Sequence, residues 1–392
     1  MCMKFAFLTN SISPHQLPLA HELIKLLGIE NYRYIYTGEL SQERRRLGWM
    51  LPEDSEWCRY GDETVDDLFE ADVLMSGLRA VGLFEKRAKQ NKTTIYCSER
   101  WFKPKIGILR LFRQSYFRMA RRFVKLLRSA SNFYYYPMGI HAARDMARLC
   151  GVMHGDLRCL FRAPELEFER RPGGKIWLKG EMVDSPNNKR YSLDKMRMWG
   201  YYVKPSEIDA LPVQELSKTN REVFRVLWVG RLLNWKRVDT IVRAVGEHIN
   251  LKRVDDSLPK ITLDIYGVGP EEKRLKKMAA KYADVISFHS PVAIDEVRKL
   301  MREHDVYVLS SNAYEGWGAV VSEALEEGMK VIGTYEAGSS ATMLPSGNLF
   351  HAGDWRTLLK LLSKGVNPCS IGPWTVGNAA SVIKTSYHCN NK

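Results

Sequence analysis

Glu315-Gly316-Trp317-Gly318-Ala319-Val320-Val321-Ser322-Glu323 is the stretch around which the rest of the sequence is organised. The apolar run 306–309 precedes it, and the helical pattern that follows it stops at Gly328. This order predicts a strand, a glycine loop and a helix, in which glycines let the backbone approach a ligand and the first N–H groups hold an anion. Glu315 is expected on the loop and Glu323 within the helix, about two turns away at ~3.6 residues per turn. Two acids at this spacing suit two ends of one polar ligand better than a single ion.

Size and composition indicate a folded protein of two domains. The chain has 392 residues, 45% of them hydrophobic, which is too long for one ordinary core. The apolar start turns polar at Thr9, too early for a secretory signal, and no run approaches the ~18 apolar residues of a spanning helix. The seven cysteines are scattered, which argues against a zinc site or a disulfide framework and fits a reducing cytosol. The net charge of +14 indicates an anionic partner.

Strand patterns alternate with helical patterns in both halves of the chain. In the first half, strands are predicted at 4–8, 32–36, 73–77, 93–97, 133–136 and 196–203, and helices at 17–27, 81–90 and 141–149. In the second half, strands are predicted at 226–229, 261–266, 285–288, 306–309 and 331–333, and helices at 238–248, 271–281, 294–302, 318–327 and 355–363. This alternation is typical of an α/β protein with two doubly wound, Rossmann-like parallel sheets.

The predicted organisation places an N-terminal domain at 1–204, with an insertion at about 151–190 whose turns are expected at 172–174 and 185–188. A second domain follows at 205–372, and a tail at 373–392 is expected to cross back to the first domain as a helix. Two such domains facing each other across a cleft would form the ligand site there. The loops 10–16, 76–77 and 98–100 should share one edge of the first sheet, because ligands of such sheets bind beyond the carboxyl ends of the strands.

Residues 101–144 contain no acid, and basic residues recur between Lys103 and Arg128. Apolar residues repeat three or four positions apart among them, which predicts a basic amphipathic helix, broken near Gly107. One interpretation is a core-facing helix with a solvated basic face. The other is contact of 103–128 with an anionic membrane surface. A nucleic-acid partner is not expected, since no RNA- or DNA-binding motif is present.

A second candidate site follows the strand at 226–229. Gly230 begins a turn that carries Arg231 and Lys236, and these two cations could converge on a diphosphate, although surface Arg and Lys on an ordinary connection would look the same. Gly267 opens a further glycine turn at a strand end. With Glu323 as an acceptor for ribose hydroxyls, these pieces indicate a nucleoside-diphosphate ligand. The sequence lacks the glycine patterns of nicotinamide, flavin and P-loop enzymes.

These motifs, in this order and spacing, resemble the family 4 glycosyltransferases of the GT-B fold. The resemblance is strongest from Val226 to about Leu362, and the first half is more loosely similar to bacterial capsule, O-antigen and exopolysaccharide enzymes. In the first half, the similarity rests on residues 14–16, 98–100 and 199–201. Two departures concern the first loop, which has no glycine, and 338–342, which lacks the acid common in the family.

The resemblance implies a retaining, metal-independent transfer of a sugar from a nucleoside-diphosphate sugar to an acceptor hydroxyl, with no cofactor. Glu315 would lie beside the donor sugar, and a histidine of the first domain would help there, with His15 and His141 favoured over His154. The implied donor-binding residues are Arg231, Lys236, Glu323, Gly230, Gly267, Gly316 and Gly318.

The expected partners are a UDP- or GDP-sugar donor, a lipid-linked or saccharide acceptor, and an anionic membrane surface. The protein is expected in the cytoplasm, at the inner face of the cytoplasmic membrane. The expected role is cell-surface polysaccharide synthesis. Alternatives are a GT-B nucleotide-sugar epimerase, a phosphorylase, or a non-catalytic basic protein that binds RNA or lipid.

Overall fold

The computed structural model describes residues 3–39, 42, 55–62, 64–164, 167–170, 176–179, 191–206, 223–372 and 374–388. The chain forms two compact units, one made of Met1–Val203 with Gly372–Lys392 and the other of Lys204–Ile371. The turns predicted at 172–174 and 185–188 lie outside the described residues. No helix in the described ranges is both long enough and apolar enough to cross a membrane.

The first unit is built on a parallel sheet of six strands. The strands are β1 Phe5–Thr9, β2 Tyr32–Tyr36, β3 Cys58–Tyr60, β4 Val73–Ser76, β5 Thr93–Ser98 and β6 Phe133–Pro137. Their order across the sheet is β3-β2-β1-β4-β5-β6. The helices are α1 Leu17–Leu27, α2 Asp66–Glu70, α3 Val81–Lys89, α4 Gln114–Ser129, α5 Ile140–Met153 and, from the C-terminal segment, α12 Val376–His388. Every residue of β1 is buried, as an apolar strand in the middle of a covered parallel sheet must be.

The loops predicted to share one edge of this sheet do so. The amide of Gly77 donates to the carbonyl of Leu8 at 2.8 Å, and the amide of Met138 donates to the carbonyl of Ser98 at 2.9 Å. These bonds join residues just past β4 and β6 to the ends of β1 and β5, so that the loops after the strands lie side by side.

The strand predicted at 196–203 is wrong. Met196 and Trp199 form isolated bridges with Tyr135 and Met138, and no continuous ladder follows. Aromatic packing holds the segment in place of a ladder, since the Trp199 ring lies 5.2 Å from that of Tyr136. The apolar residues of this segment are therefore buried by packing along the end of β6 and not by pairing in the sheet.

The basic helix predicted from Lys103 to Arg128, with a break near Gly107, is irregular near that residue as expected, but its α-helical part begins later than predicted. A 3₁₀ helix runs from Gly107 to Phe112, and α4 begins only at Gln114. Because a 3₁₀ turn holds three residues instead of 3.6, the two segments do not share one continuous apolar face. The apolar face of α4 is buried, with Ala120, Phe123 and Leu127 fully covered, which confirms the core-facing interpretation for the helix itself.

The second unit repeats the architecture with another parallel sheet of six strands. The strands are β9 Val223–Val229, β10 Lys260–Tyr266, β11 Ile286–His289, β12 Val306–Leu309, β13 Lys330–Thr334 and β14 Leu349–Phe350. Their order is β11-β10-β9-β12-β13-β14. The helices are α6 Val238–Lys252, α7 Glu272–Ala279, α8 Ile294–Glu303, α9 Val320–Glu326, α10 Gly338–Met343 and α11 Trp355–Lys364. The first unit also contains a separate antiparallel pair, β7 Glu167–Arg170 and β8 Ile176–Lys179, which falls in the predicted insertion.

The predicted fold class of two doubly wound parallel sheets is confirmed. The sequence patterns missed β3, α2, β7, β8, α10 and β14, all of which are short. The helix expected at 318–327 begins later, at Val320, because Gly318 has a φ of +91° that a helix cannot contain. Gly316 and Gly318 therefore both belong to the loop between β12 and α9.

Candidate active site

An ion pair lies beyond the ends of β9 and β12, which are neighbouring strands. Lys236 ends the 3₁₀ turn Asn234–Lys236, and its Nζ pairs with Oε2 of Glu315 on the loop after β12. Both side chains are mostly buried, with 18% and 11% of their surfaces exposed. The two residues are 79 positions apart in sequence, so the sheet order alone brings them together.

Two serines fix the geometry of this pair. The hydroxyl of Ser311 donates to the same Glu315 oxygen at 2.8 Å, and the hydroxyl of Ser310 donates to the carbonyl of Lys236 at 2.7 Å. The amide of Asn312 donates to the carbonyl of Trp235 at 2.9 Å. The end of β12 is therefore tied to the turn that carries the lysine, and the carboxylate is held by two donors.

The lysine has a second partner in its neighbour. Its Nζ lies 4.5 Å from the centroid of the Trp235 ring, within the range of a cation–π contact. A carboxylate and an aromatic face together hold the cation at one place at the edge of the sheet. Because Lys is a compact point charge with rotatable donors, it can turn from this pair to a ligand anion without moving the backbone.

Glycines at the ends of β9 and β10 allow two backbones to meet. Gly267 has a φ of +149°, and a Cβ built on it would lie 1.8 Å from the carbonyl oxygen of Gly230. Gly230 itself has a φ of +152°, and a Cβ on Gly269 would lie 2.4 Å from the carbonyl oxygen of Leu232. No larger residue fits at these contacts. Packing alone therefore requires glycine at these turns, whether or not they also bind a ligand.

A second close approach shapes the loop after Glu315. A Cβ on Gly338 would lie 2.2 Å from the carbonyl oxygen of Gly316. The amide of Ser339 donates to the carbonyl of Trp317 at 2.9 Å, and its hydroxyl lies 3.0 Å from the carbonyl of Gly318. The start of α10, a helix that was not predicted, therefore fastens the glycine loop in place.

Glu323 lies on α9 and is 8% exposed, so both acids of the opening stretch are largely buried. A phenol connects them electrostatically. Tyr307, on β12, donates to the carbonyl of Val229 at 3.2 Å. Burial raises the pKa of Tyr307, and the negative charges of Glu315 and Glu323 raise that pKa further. Both carboxylates thus act on the same hydroxyl, which places them near the junction of β9 and β12.

The remaining predicted residues lie as follows. Arg231 is on the loop after β9, beside Gly230, with an exposed side chain. His15 and His141 belong to the first unit. His15 lies on the loop after β1, with its ring 6.0 Å from that of Tyr201, and His141 is the second residue of α5. The roles of all the predicted site residues, including these histidines, stay predictions.

Three residues that touch or flank the ion pair were absent from the predicted site: Trp235, Ser311 and Tyr307. The first two sit inside or next to the motifs, and their position at strand ends was the available signal. Nothing in the sequence marks Tyr307, which looks like any residue of a buried strand. Within the described ranges, no group of three or more His, Cys, Asp and Glu side chains could hold a metal ion.

The second unit also resembles known proteins in sequence. Residues 223–364 match the family described as glycosyl transferases, group 1. The comparison supports a glycosyltransferase family. The matched segment contains the Lys236–Glu315 pair, Arg231, Glu323 and the glycines of both close approaches, so the whole of this geometry lies inside it.

Relatives with curated names match about a third of the chain. The chain is 30% identical over 129 residues to the GtfA subunit of the UDP-N-acetylglucosamine–peptide N-acetylglucosaminyltransferase of Streptococcus agalactiae, which is 31% of this chain and 24% of that protein. It is 25% identical over 136 residues to an uncharacterised glycosyltransferase of Methanocaldococcus jannaschii, covering 34% of this chain and 33% of that protein. The chain spans about a quarter of the length of the streptococcal relative it matches.

Solved structures match almost the whole chain in fold. HepE of Anabaena in complex with UDP superposes with a TM-score of 0.54 at 15% identity, over 99% of this chain and 97% of that one. The apo form of the lipopolysaccharide outer core galactosyltransferase WaaB superposes with a TM-score of 0.54 at 12% identity, over 99% and 98%. At these identities the likeness concerns the fold, which is that of GT-B glycosyltransferases.

Proposed function

We propose that this protein is a retaining glycosyltransferase that moves a sugar from a nucleoside-diphosphate sugar to an acceptor hydroxyl. The observation that carries the proposal is the Lys236–Glu315 ion pair, held by Ser311 at the carboxyl edge of the second sheet. A cation and a carboxylate side by side suit a ligand with an anionic leaving group on one side and a polar sugar on the other. The family match over 223–364 supports the same reaction class.

In this proposal, Lys236 and Arg231 bind the diphosphate of the donor and Glu323 accepts hydrogen bonds from its ribose. The donor can approach the backbone closely at four glycines, which have no side chain to block it: Gly230, Gly267, Gly316 and Gly318. Glu315 lies beside the donor sugar. His15 and His141 of the first unit are assigned to the sugar and acceptor side. These assignments follow the family resemblance.

The reaction breaks the bond between the anomeric carbon and the terminal phosphate oxygen, whose electron pair leaves with the nucleoside diphosphate. The acceptor oxygen forms the new bond on the same face, and its proton passes to the departing phosphate. Negative charge grows on the diphosphate as this bond breaks, and Lys236 and Arg231 stabilise that charge. Since these cations can supply the charge stabilisation, we propose that the reaction needs neither metal nor cofactor.

We propose a UDP-sugar as the first donor to test, because the streptococcal relatives are named for UDP-N-acetylglucosamine, with a GDP-sugar as the next choice. The proposed acceptor is a lipid-linked or saccharide intermediate of a bacterial capsule, O-antigen or exopolysaccharide. The protein would then work in the cytoplasm at the inner face of the membrane.

The proposal is tested by product formation with Lys236→Ala and Glu315→Gln. Removing one preorganised charge partner of a developing anion typically lowers the rate by about 100- to 1000-fold, and we expect a loss of this size for Lys236→Ala. Lys276→Ala, which removes an exposed lysine paired with Glu272 in the same unit, is the matched control. Unchanged turnover in both site variants would rule out the mechanism.

Donor identity is measured separately by thermal stabilisation with UDP-, GDP- and ADP-sugars, since a ligand of the folded state raises its stability by mass action. Wild type should be stabilised by one of the three classes and Lys236→Ala much less. An epimerase would convert the donor to a new nucleotide sugar with no acceptor present. Chromatography of such a mixture separates that alternative from transfer.

A further inference from the structure

The first unit exposes an apolar ridge on the 3₁₀ helix Gly107–Phe112. Ile106, Leu109 and Phe112 have 42%, 59% and 80% of their surfaces exposed. Leu109 and Phe112 are three residues apart in a helix with three residues per turn, so they lie on one face, and Ile106 directly precedes the helix. Phe117, on the first turn of α4, is a fourth apolar side chain at the surface, with 38% of it exposed. We name Ile106, Leu109, Phe112 and Phe117 the apolar ridge.

The ridge is held outward by the residues between its members. Leu111 is buried, and Trp101 and Phe102, just before the segment, are covered as well. The hydroxyl of Tyr116 donates to the carbonyl of Trp101 at 3.2 Å, which fastens the start of α4 to the body of the unit. The ridge is therefore a fixed feature of the surface and exposes large apolar side chains that folding alone would not place in water.

Cations surround the ridge. Lys103, Lys105, Arg113 and Arg118 are exposed, and no carboxylate in the described part of the chain forms an ion pair with any of them. The first acid after Glu99 is Asp145, so the sequence offers no local negative charge. Exposed apolar side chains with exposed cations next to them in sequence match the surface of an anionic bilayer, with its acyl boundary beneath a layer of negative headgroups.

We propose that the apolar ridge inserts into the interface of an anionic lipid bilayer while the surrounding cations bind its headgroups. The contact surface is therefore the 3₁₀ segment and the first turn of α4. The long apolar face of α4 takes no part, because it is already covered by the core. Lipid is favoured over nucleic acid because two of the four exposed side chains, Ile106 and Leu109, are aliphatic, whereas base stacking uses aromatic faces.

The test is sedimentation of the full-length protein with vesicles, in the absence of any nucleotide sugar. Vesicles of phosphatidylcholine mixed with phosphatidylglycerol should carry the protein down at low salt, and vesicles of phosphatidylcholine alone should not. Leu109→Ser/Phe112→Ser should lower the partition coefficient about tenfold or more. Lys103→Gln/Lys105→Gln should lower it about fivefold for each cation removed.

The chain offers a matched control in the second unit. Leu251 and Val254 are 48% and 89% exposed but lie beside two acids, Asp255 and Asp256, as well as two bases, so no excess of cations accompanies them. Leu251→Ser/Val254→Ser should sediment as wild type does. Circular dichroism checks that each variant is folded. We expect all of them to fold, because the substituted side chains are exposed.

Two results would overturn the proposal. One is a wild-type protein that stays in the supernatant with anionic vesicles at low salt. If that protein instead binds single-stranded RNA, the partner of this surface is nucleic acid and not lipid. The other is a Leu109→Ser/Phe112→Ser variant that sediments as well as wild type. Because no donor is present, neither result bears on the glycosyltransferase proposal, and loss of transfer in Lys236→Ala leaves the vesicle result intact.

Discussion

The two sheets have the same strand order, so their loops can be compared position by position. In the first unit β1 pairs with β2 through Thr9 and Tyr36, and in the second β9 pairs with β10 through Val229 and Tyr266. The loop after β1 and the loop after β9 therefore occupy equivalent places at the edge of each sheet. The first contains His15 and the second contains Arg231 and Lys236.

The two loops are fixed by different means. In the first unit the backbones of Gly38 and Asn10 approach less closely, and side chains add contacts: the hydroxyl of Tyr34 donates to Gln16 and lies 3.3 Å from the hydroxyl of Thr9. In the second unit the backbones meet more closely, through Gly230 and Gly267. Close backbone packing positions the β9 loop, and a side chain of that loop forms the ion pair with Glu315. The same topology thus supports one loop positioned mainly by polar side chains and another positioned mainly by its glycines.

The largest effect is expected when the close backbone packing is broken. Gly267→Ala would place a Cβ 1.8 Å from the carbonyl oxygen of Gly230, at a φ of +149°. Strain of the backbone alone costs about 1–3 kcal/mol, and overpacking adds about 1–3 kcal/mol, so we expect a loss of about 3 kcal/mol or more in the free energy of unfolding. Urea unfolding followed by circular dichroism measures it.

Two other glycines separate the causes. Gly365 has a φ of +89°, and a Cβ added there would meet no atom within 4 Å, so Gly365→Ala reports the backbone strain alone. Gly38 is the counterpart of Gly267 in the first unit, with a Cβ that would lie 2.6 Å from the carbonyl oxygen of Asn10, and its substitution should cost less than that of Gly267. An equal loss for Gly267 and Gly365 would show that the close contact is unimportant.

These glycines also show how far the sequence could be interpreted. Strands such as Phe5–Thr9 and Val306–Leu309 are short runs of apolar residues that only a covered parallel sheet accommodates, so the fold could be predicted from local patterns. The glycine turns were recognised, but the sequence did not reveal that Gly267 meets Gly230. That contact depends on the order of strands, which no single segment contains.

The site was predictable to the same degree. Lys236 and Glu315 were both singled out by their neighbours in sequence, yet assigned to different parts of a ligand, and the structure pairs them directly. Tyr307 could not be found, because its hydroxyl becomes significant only when β9 lies beside β12. For 103–128 a break near Gly107 was predicted, but the 3₁₀ segment that follows it was not. The change to a 3₁₀ turn at Gly107 moved Leu109 and Phe112 to the surface.

A middle-sized effect is expected from the side-chain network of the first unit. Tyr34→Phe removes a buried hydroxyl shared by Thr9 and Gln16, which should cost about 1 kcal/mol of stability. Burial raises the pKa of Tyr34, so the hydroxyl keeps its proton at any pH suitable for the measurement. Tyr60→Phe, at a site that is 64% exposed, should change the stability by less than about 0.5 kcal/mol. Equal effects for the two variants would show that the hydrogen bonds of Tyr34 do not stabilise the first unit.

The smallest effect concerns the residue that takes the place of Tyr34 in the second sheet. Tyr34 pairs with Phe7, two residues before the end of β1, and Asp264 pairs with Leu227, two residues before the end of β9. In place of a phenol that reaches the loop, Asp264 binds the Nε2 atoms of His289 at 2.7 Å and His304 at 3.2 Å. The hydrogen bond from His304, followed by that from His289, lowers the pKa of Asp264 below its ordinary value of 3.8 against the opposing effect of burial.

A carboxyl group whose pKa is lower in the folded state stabilises that state above its unfolded pKa, and the contribution is lost as the pH falls through the folded pKa. Asp264→Asn should therefore cost about 0.5–1 kcal/mol near neutral pH, the size typical of a partly exposed pair. The difference from wild type should shrink as the pH falls below the ordinary aspartate value of 3.8. Urea unfolding across this pH range measures both curves, and Asp284→Asn, at an exposed position of the same unit, corrects for the loss of one charge. A difference that stays constant over the whole range would mean that the charge of Asp264 does not contribute, and that its hydrogen bonds act as those of the neutral Tyr34 do in the first sheet.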